Sequence, residues 1–280
     1  MMRNNTSTLG PRRCLDERPR RGMMRDRAAD RRLLWETMFV LAVSLGQSAW
    51  YSILRMIERL TRGVPMNQQT STLNSSVTPG RPWLDLLYQL SDIAFGVVPA
   101  LLAVLLLAQV KPPRQGVRRA LGLEAPGWGR DVGAGAMLAA IIGIPGLGFY
   151  WAAHALGFNT TVRAADLQHV WWTAPVLIGL AGMNAVLEET VMIGYLFTRW
   201  GQIGWSTTMV IVTSAIIRGT YHLYQGWGDF IGNIVMGLFL GWVFSRRCRL
   251  LPLIVAHAFL DIVSLSLIHI SEPTRPERIS

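Results

Sequence analysis

Charge is what this chain has least of. Only 16% of its residues are Asp, Glu, Lys or Arg, against about 25% in ordinary soluble domains. Lysine is almost missing, since Lys111 stands alone and arginine carries the rest of the basic charge. Cysteine is limited to Cys14 and Cys248, too few for a disulfide framework and without metal-ligand spacing. Both fall in segments assigned below to the cytoplasm, where thiols stay reduced. A His-Glu-x-x-His segment does not occur, which removes the standard soluble zinc-protease helix. A cleavable signal peptide is not indicated, because the basic head leads into a full-length apolar run rather than a short one ending in small residues.

What the chain has in quantity is long apolar runs, at 33–54, 84–110, 131–156, 171–200, 205–224, 230–244 and 250–264. About 20 apolar residues cross a hydrocarbon core, so the expectation is an all-α, polytopic transmembrane helix bundle of about seven spans. The Gly-Ile-Pro-Gly stretch at 143–146 should kink the third run. Residues 53–62 alternate charged and apolar positions at helical spacing and read as a short helix lying at the interface. Residues 63–82 and 157–170 read as exposed polar connections, the second with His154 and His169 at its edges.

The domain reading follows. Residues 1–32 form a disordered basic cytoplasmic N-terminus, 33–130 hold two N-terminal spans with their loops, and 131–264 form the core. Residues 265–280 resemble a translated sequencing adapter and are set aside from fold reasoning. The formal charge of +10 is placed mainly beside the apolar runs, as the positive-inside rule expects. Membrane topology therefore explains it better than nucleic acid binding. The connections at 111–130, at Arg199 and at 246–249 would then face the cytoplasm, while Arg55, Arg59, Arg62 and Arg81 in the first outer loop are exceptions. The arginine preference is compatible with a GC-rich gene, and the expected location is a bacterial plasma membrane.

Polar residues inside the apolar runs carry the functional signal. Glu188 and Glu189 lie side by side in the fourth run, and an ionisable residue within a membrane marks a functional site by default. Asn184 precedes Glu188 by four residues, Arg218 precedes His222 by four, and His257 precedes Asp261 by four. Such spacing puts each pair on one helix face. Asn233, Gly237 and Gly241 share a face on the sixth run, where the two glycines permit close helix approach. The fitting chemistry is activation of water. A Glu can take a proton from water and return it to a leaving amine, and His can donate to an oxyanion. Glu188, His222 and His257 could also ligate a divalent metal such as zinc, with a position open for water.

Glu188-Glu189 with Gly194-Tyr195, then 218–222, then 257–261, resembles the CPBP family of membrane endopeptidases. These are the CAAX-protease and bacteriocin-processing enzymes, also called the ABI family. The resemblance covers about 131–264. It implies Glu188 as the base activating water, Glu189 as its structural partner, His222 and His257 as oxyanion or metal-site residues, and Asp261 at a position where the family has Asn or Asp. The family motif usually has Arg four residues after the second Glu, where this chain has Ile193. That Arg would lie over Glu189, and Arg218 is the expected replacement for its charge. Asn184 and Asn233 are supporting residues. The implied function is intramembrane endopeptidase cleavage of a membrane-associated peptide or protein, with the lipid bilayer as the other partner. Nothing in the chain indicates prenylated CAAX substrates. The alternatives are a non-proteolytic scaffold of the same fold, kept open by Ile193, and a proton-coupled transporter, against which stands the lack of an internal repeat of the spans.

Overall fold

A computed structural model of the chain describes residues 26–123, 127–167 and 170–271. Its helices are α1 (Arg27–Ala42), α2 (Leu45–Thr61), α3 (Pro82–Gly96), α4 (Val98–Gln109), a single turn α5 (Val117–Ala120), α6 (Trp128–Ala155), α7 (Thr173–Glu188), α8 (Leu196–Gln202), α9 (Thr207–His222), α10 (Trp227–Arg247) and α11 (Leu251–Ser271). A π-helical segment, Glu189–Tyr195, joins α7 to α8. Strands β1 (Thr70–Ser75) and β2 (Thr161–Asp166) pair in parallel, Thr70 opposite Thr161. Both stretches read as loops from composition. They pair because extended backbone without helical hydrogen bonds needs partners elsewhere.

Four stretches are long and apolar enough to cross a membrane: Pro82–Gln109, Trp128–Ala155, Thr173–Gln202 and Trp227–Arg247. A fifth exists if α1 and α2 count as one span bent by 56°. The chain is thus an integral membrane protein of the helical class, with four or five candidate spans by length and composition among the described residues. The runs at 205–224 and 250–264 do become helices. However, α9 has 16 residues, short of the length that about 30 Å of hydrocarbon requires, and α11 stands among the shorter apolar helices over Leu251–Ser266.

Other expectations change with the geometry. The first run is not one straight span. It breaks after α1, where the Ser44 hydroxyl donates to Val40 O at 2.6 Å, a back-bond that bends helices. Of the segment expected to be disordered, residues 1–25 lie outside the described ones, and from Arg27 the chain is already helical. Asp26 caps α1 by accepting from the backbone N–H groups of Ala28 and Ala29. Helix α6 runs through Pro145 as one element. Helix α11 continues to Ser271, across residues set aside on sequence grounds. Cys248, expected as a reduced thiol, is not a free cysteine in the structure.

The Glu-bearing helix is the centre of the bundle. In the most apolar window of Thr173–Gln202, 56% of residues are buried, against 11–28% for the other three spans. Every residue from Glu188 to Ile203 is buried. Helix α11 packs on α6 and α7, and α9 packs on α10 and α2. Arg199, expected at a cytoplasmic edge, is fully buried. Its guanidinium donates to Glu36 Oε1 at 2.7 Å, Leu106 O at 2.6 Å, Gln202 Oε1 at 2.8 Å and Lys111 O at 3.1 Å. Tyr195 donates to the same Glu36 oxygen at 2.9 Å. This polar lock ties α8 to α1 and α4. At the same end of the bundle, Arg249 holds Asp131 with Nε at 2.8 Å from Oδ1, fastening the loop before α11 to the start of α6.

Close helix approach brings the site-bearing helices together. A Cβ at Gly237 would lie 3.0 Å from the Ala215 backbone on α9, and one at Gly219 would lie 2.6 Å from Ile234 and 2.8 Å from Phe230 O. The second neighbour is backbone and cannot swing away. Gly219→Ala is therefore expected to push α9 off α10 and cost about 1–3 kcal/mol, in the range of overpacked cores. Thermal unfolding in detergent, compared with Gly146→Ala where a Cβ meets nothing within 4 Å, measures it.

Candidate active site

The two adjacent carboxylates sit where α7 passes into the π-helical segment, a local unwinding that recurs at functional sites. Helix α9 brings Arg218, Tyr221 and His222 to them, and α11 brings His257 and Asp261. The carboxylates differ in surroundings. Glu189 is wholly enclosed, and its Oε1 accepts from Arg218 Nη2 at 2.6 Å and from His257 Nδ1 at 2.8 Å. Since an ionised carboxylate only accepts, His257 spends its Nδ1–H on Glu189 and turns Nε2 towards Glu188.

Glu188 is the meeting point of the cluster. Tyr221 donates its hydroxyl to Oε2 at 2.6 Å. Around the same oxygen, Arg218 Nη1, His222 Nε2 and His257 Nε2 each stand at 3.8 Å. That gap is too long for a direct hydrogen bond and short enough for one water to touch both groups. Two of these atoms, Arg218 Nη1 and His222 Nε2, are buried and have no hydrogen-bond partner among the described residues. Buried donors left open in this way call for a ligand or an ordered water. Gln225 Nε2 lies 3.5 Å from His222 Nδ1 and donates to Tyr224 Oη at 3.0 Å. An amide N–H facing Nδ1 favours the His222 tautomer that carries its proton on Nε2, aimed at the gap.

Exposure orders the cluster. The Glu189 side chain is 0% exposed and that of His257 3%, while Glu188 stands at 10%, His222 at 20% and Asp261 at 33%. The open side is therefore lined by Asp261 and His222, and Glu188 is the carboxylate that a reactant coming from there meets. Asp261 Oδ1 lies 3.7 Å from His257 Nε2.

The remaining residues singled out by sequence fall elsewhere. Asn184 is half-buried one turn before Glu188, with no hydrogen bond to the cluster among the described residues. Asn233 donates to Asp229 O at 3.0 Å within its own helix. His154 reaches Thr161 Oγ1 at 3.1 Å on the far end of α6, and His169 lies outside the described residues. Ile193 is 1% exposed within the main apolar core. The π-helical turn is wider than an α-turn, so the residue four after Glu189 no longer stacks over it. Arg218 reaches Glu189 from α9 instead. Tyr221 and Gln225 went unnoticed in the sequence, where a Tyr beside a His at a helix end carries no distinguishing spacing.

A zinc ion needs three or more donors converging at about 2.0–2.2 Å. Among the described residues no group of three or more His, Cys, Asp or Glu side chains is arranged to hold a metal ion. As arranged, then, the donors of Glu188, His222 and His257 do not close a metal site, and the steps derived below run through protein groups.

Searches of curated proteins and of solved structures returned no match to the chain. A family model does match, over residues 170–263, with the description Type II CAAX prenyl endopeptidase Rce1-like. The matched segment, about a third of the chain, contains all the residues that converge on Glu188 and Glu189, and over it the chain is similar to the CAAX endopeptidases.

Proposed function

We propose that the protein is an intramembrane endopeptidase in which Glu188 activates a water molecule against a peptide bond of a membrane-associated peptide or protein. The observation that carries this reading is the convergence of one hydroxyl, one guanidinium nitrogen and two imidazole nitrogens on Glu188 Oε2, with the gap on its open side. Glu188 takes a proton from the water as its oxygen attacks the carbonyl carbon. The oxyanion accepts hydrogen bonds from His222 Nε2–H and from the free Nη1–H of Arg218, donors already in place and costing little to reorganise. Glu188 then delivers the proton to the leaving nitrogen as the C–N bond breaks, giving a carboxylate and an amine. Glu189 acts by holding Arg218 and His257 rather than by touching the water. The location we propose is a bacterial plasma membrane with the N-terminus in the cytoplasm. Prenylated CAAX peptides, which the family description names, are included among the substrates to be tried.

The experiment is cleavage of a peptide library, containing prenylated and unmodified members, by purified protein in detergent, with and without a chelator. Cleavage by the well-folded protein supports the reading. No cleavage in any arm would transfer the fold to a non-proteolytic scaffold. Loss on chelation, restored by zinc, would establish a metal dependence for which Glu188, His222 and His257 are the ligands to test first.

Tyr221 supplies a further prediction. Its hydrogen bond goes to a charged acceptor, the kind whose loss costs about 1.5–3 kcal/mol. Tyr221→Phe keeps the ring and removes only the donor. We expect kcat to fall about tenfold, or about 1.4 kcal/mol, with KM nearly unchanged, as measured by steady-state cleavage of the best library peptide.

A further inference from the structure

The positive-inside rule leaves Arg55, Arg59 and Arg62 unexplained, and the structure gathers all three at one place. They stand on successive turns of α2 and line a cavity of about 250 Å³ together with Glu58, Ser71, Thr72 and Tyr224. The volume lies just below the range of about 300–1,000 Å³ that suits drug-sized ligands, so it fits a small charged head better than a large molecule. Three guanidinium groups face one carboxylate, which leaves the cavity positive. Arg62 pairs with Glu58 at 2.5 Å, and Arg55 lies over the Tyr224 ring at 5.6 Å.

Arg59 is the decisive residue. Its Nη2 donates to Thr70 O at 3.3 Å, but Nε and Nη1 are shielded from solvent and have no hydrogen-bond partner among the described residues. Buried N–H donors without an acceptor are costly, and an anion seated against the guanidinium would satisfy them with charge-assisted hydrogen bonds. Ser71 and Thr72 on β1 complete the lining, the Ser71 hydroxyl being engaged with Thr160 Oγ1 at 2.8 Å. The position of the pocket indicates the source of the anion. Helix α2 presents Trp50, Tyr51, Ile57 and Leu60 at more than half exposure, an apolar face beside the arginines. That combination suits a helix lying where acyl chains meet headgroups.

We infer that this pocket binds the phosphate of an anionic lipid headgroup. The inference is independent of the proposed proteolysis and stands if that fails. The test uses the full chain in neutral detergent micelles and measures binding of phosphatidic acid, with phosphatidylcholine and inorganic phosphate as separate arms. Arg59→Gln and Arg62→Gln should each weaken phosphatidic acid binding about tenfold, the scale of one charge-assisted contact. Glu58→Gln should tighten it by removing the competing carboxylate. Arg62 is half exposed, so its variant tests the pocket even if Arg59→Gln folds poorly. Arg246→Gln, on the exposed end of α10, controls for general attraction between a basic protein and an acidic lipid, and should change nothing. Inorganic phosphate binding with the same dependence on Arg59 and Glu58, but no lipid binding, would keep the anion pocket and overturn its lipid source. Equal binding by all variants, weakening by Arg246→Gln as strong as by Arg59→Gln, or no binding in any arm would overturn the inference.

Discussion

Glu188→Gln is expected to lower peptide cleavage by about 10²–10⁴-fold, the range that a positioned general base supplies. The loss should fall on kcat with KM nearly unchanged, because the amide keeps the size of the side chain and can still accept from Tyr221. The variant should fold. Among the described residues Glu188 carries only one short hydrogen bond, from Tyr221, and Arg218, His222 and His257 stand at 3.8 Å. Glu189→Gln makes the contrast. It removes the charge that holds Arg218 and His257 at 2.6 and 2.8 Å, so it should damage stability at least as much as rate. Cleavage that survives Glu188→Gln but not Glu189→Gln would reverse the roles given to the two carboxylates. The pair of assays therefore tests which Glu faces the water, which adjacency in the sequence leaves open.

That limit on the sequence has a physical reason. Consecutive residues on a helix point about 100° apart, and which one meets a cavity depends on neighbouring helices that no local pattern describes. Polar edges are legible, because i and i+4 positions share a face whatever the partner. Arg218, His222, His257 and Asp261 could accordingly be selected from spacing alone, and the geometry gathers all four around the carboxylates. The apolar runs were legible as helices for the same local reason. Their role as spans was less so, since a run of 16 residues such as α9 looks apolar enough from composition and lacks the length. What stayed hidden depends on long-range contact or on backbone detail. The π-helical segment leaves no period of its own in seven residues. Arg199 reads as an interface cation until α1 and α4 surround it. The β1–β2 pair joins segments some ninety residues apart, and neither alternates strongly enough to announce a strand. Tyr221 matters only because α9 turns it onto Glu188.

Arg218 is where stability and function should be hardest to separate. It is 1% exposed and shares its guanidinium between Glu189 at 2.6 Å and Glu188 at 3.8 Å. Taking one partner out of a buried ion pair costs about 3–5 kcal/mol, because the remaining charge stays where water cannot reach it. Arg218→Met fills a similar volume without the charge and should lose that much stability, along with most of the folded protein at moderate temperature. The damage should be reversible by removing the stranded carboxylate. Glu189→Gln in the Arg218→Met background is expected to recover at least half the loss, since a buried pair replaced on both sides is often close to neutral. Unfolding of the four proteins of this cycle, followed in one detergent, yields the coupling directly. A coupling near zero would mean that Arg218 does not neutralise Glu189. Recovery of stability without recovery of cleavage would mean that Arg218 also acts on the reaction, through the Nη1–H left open towards Glu188.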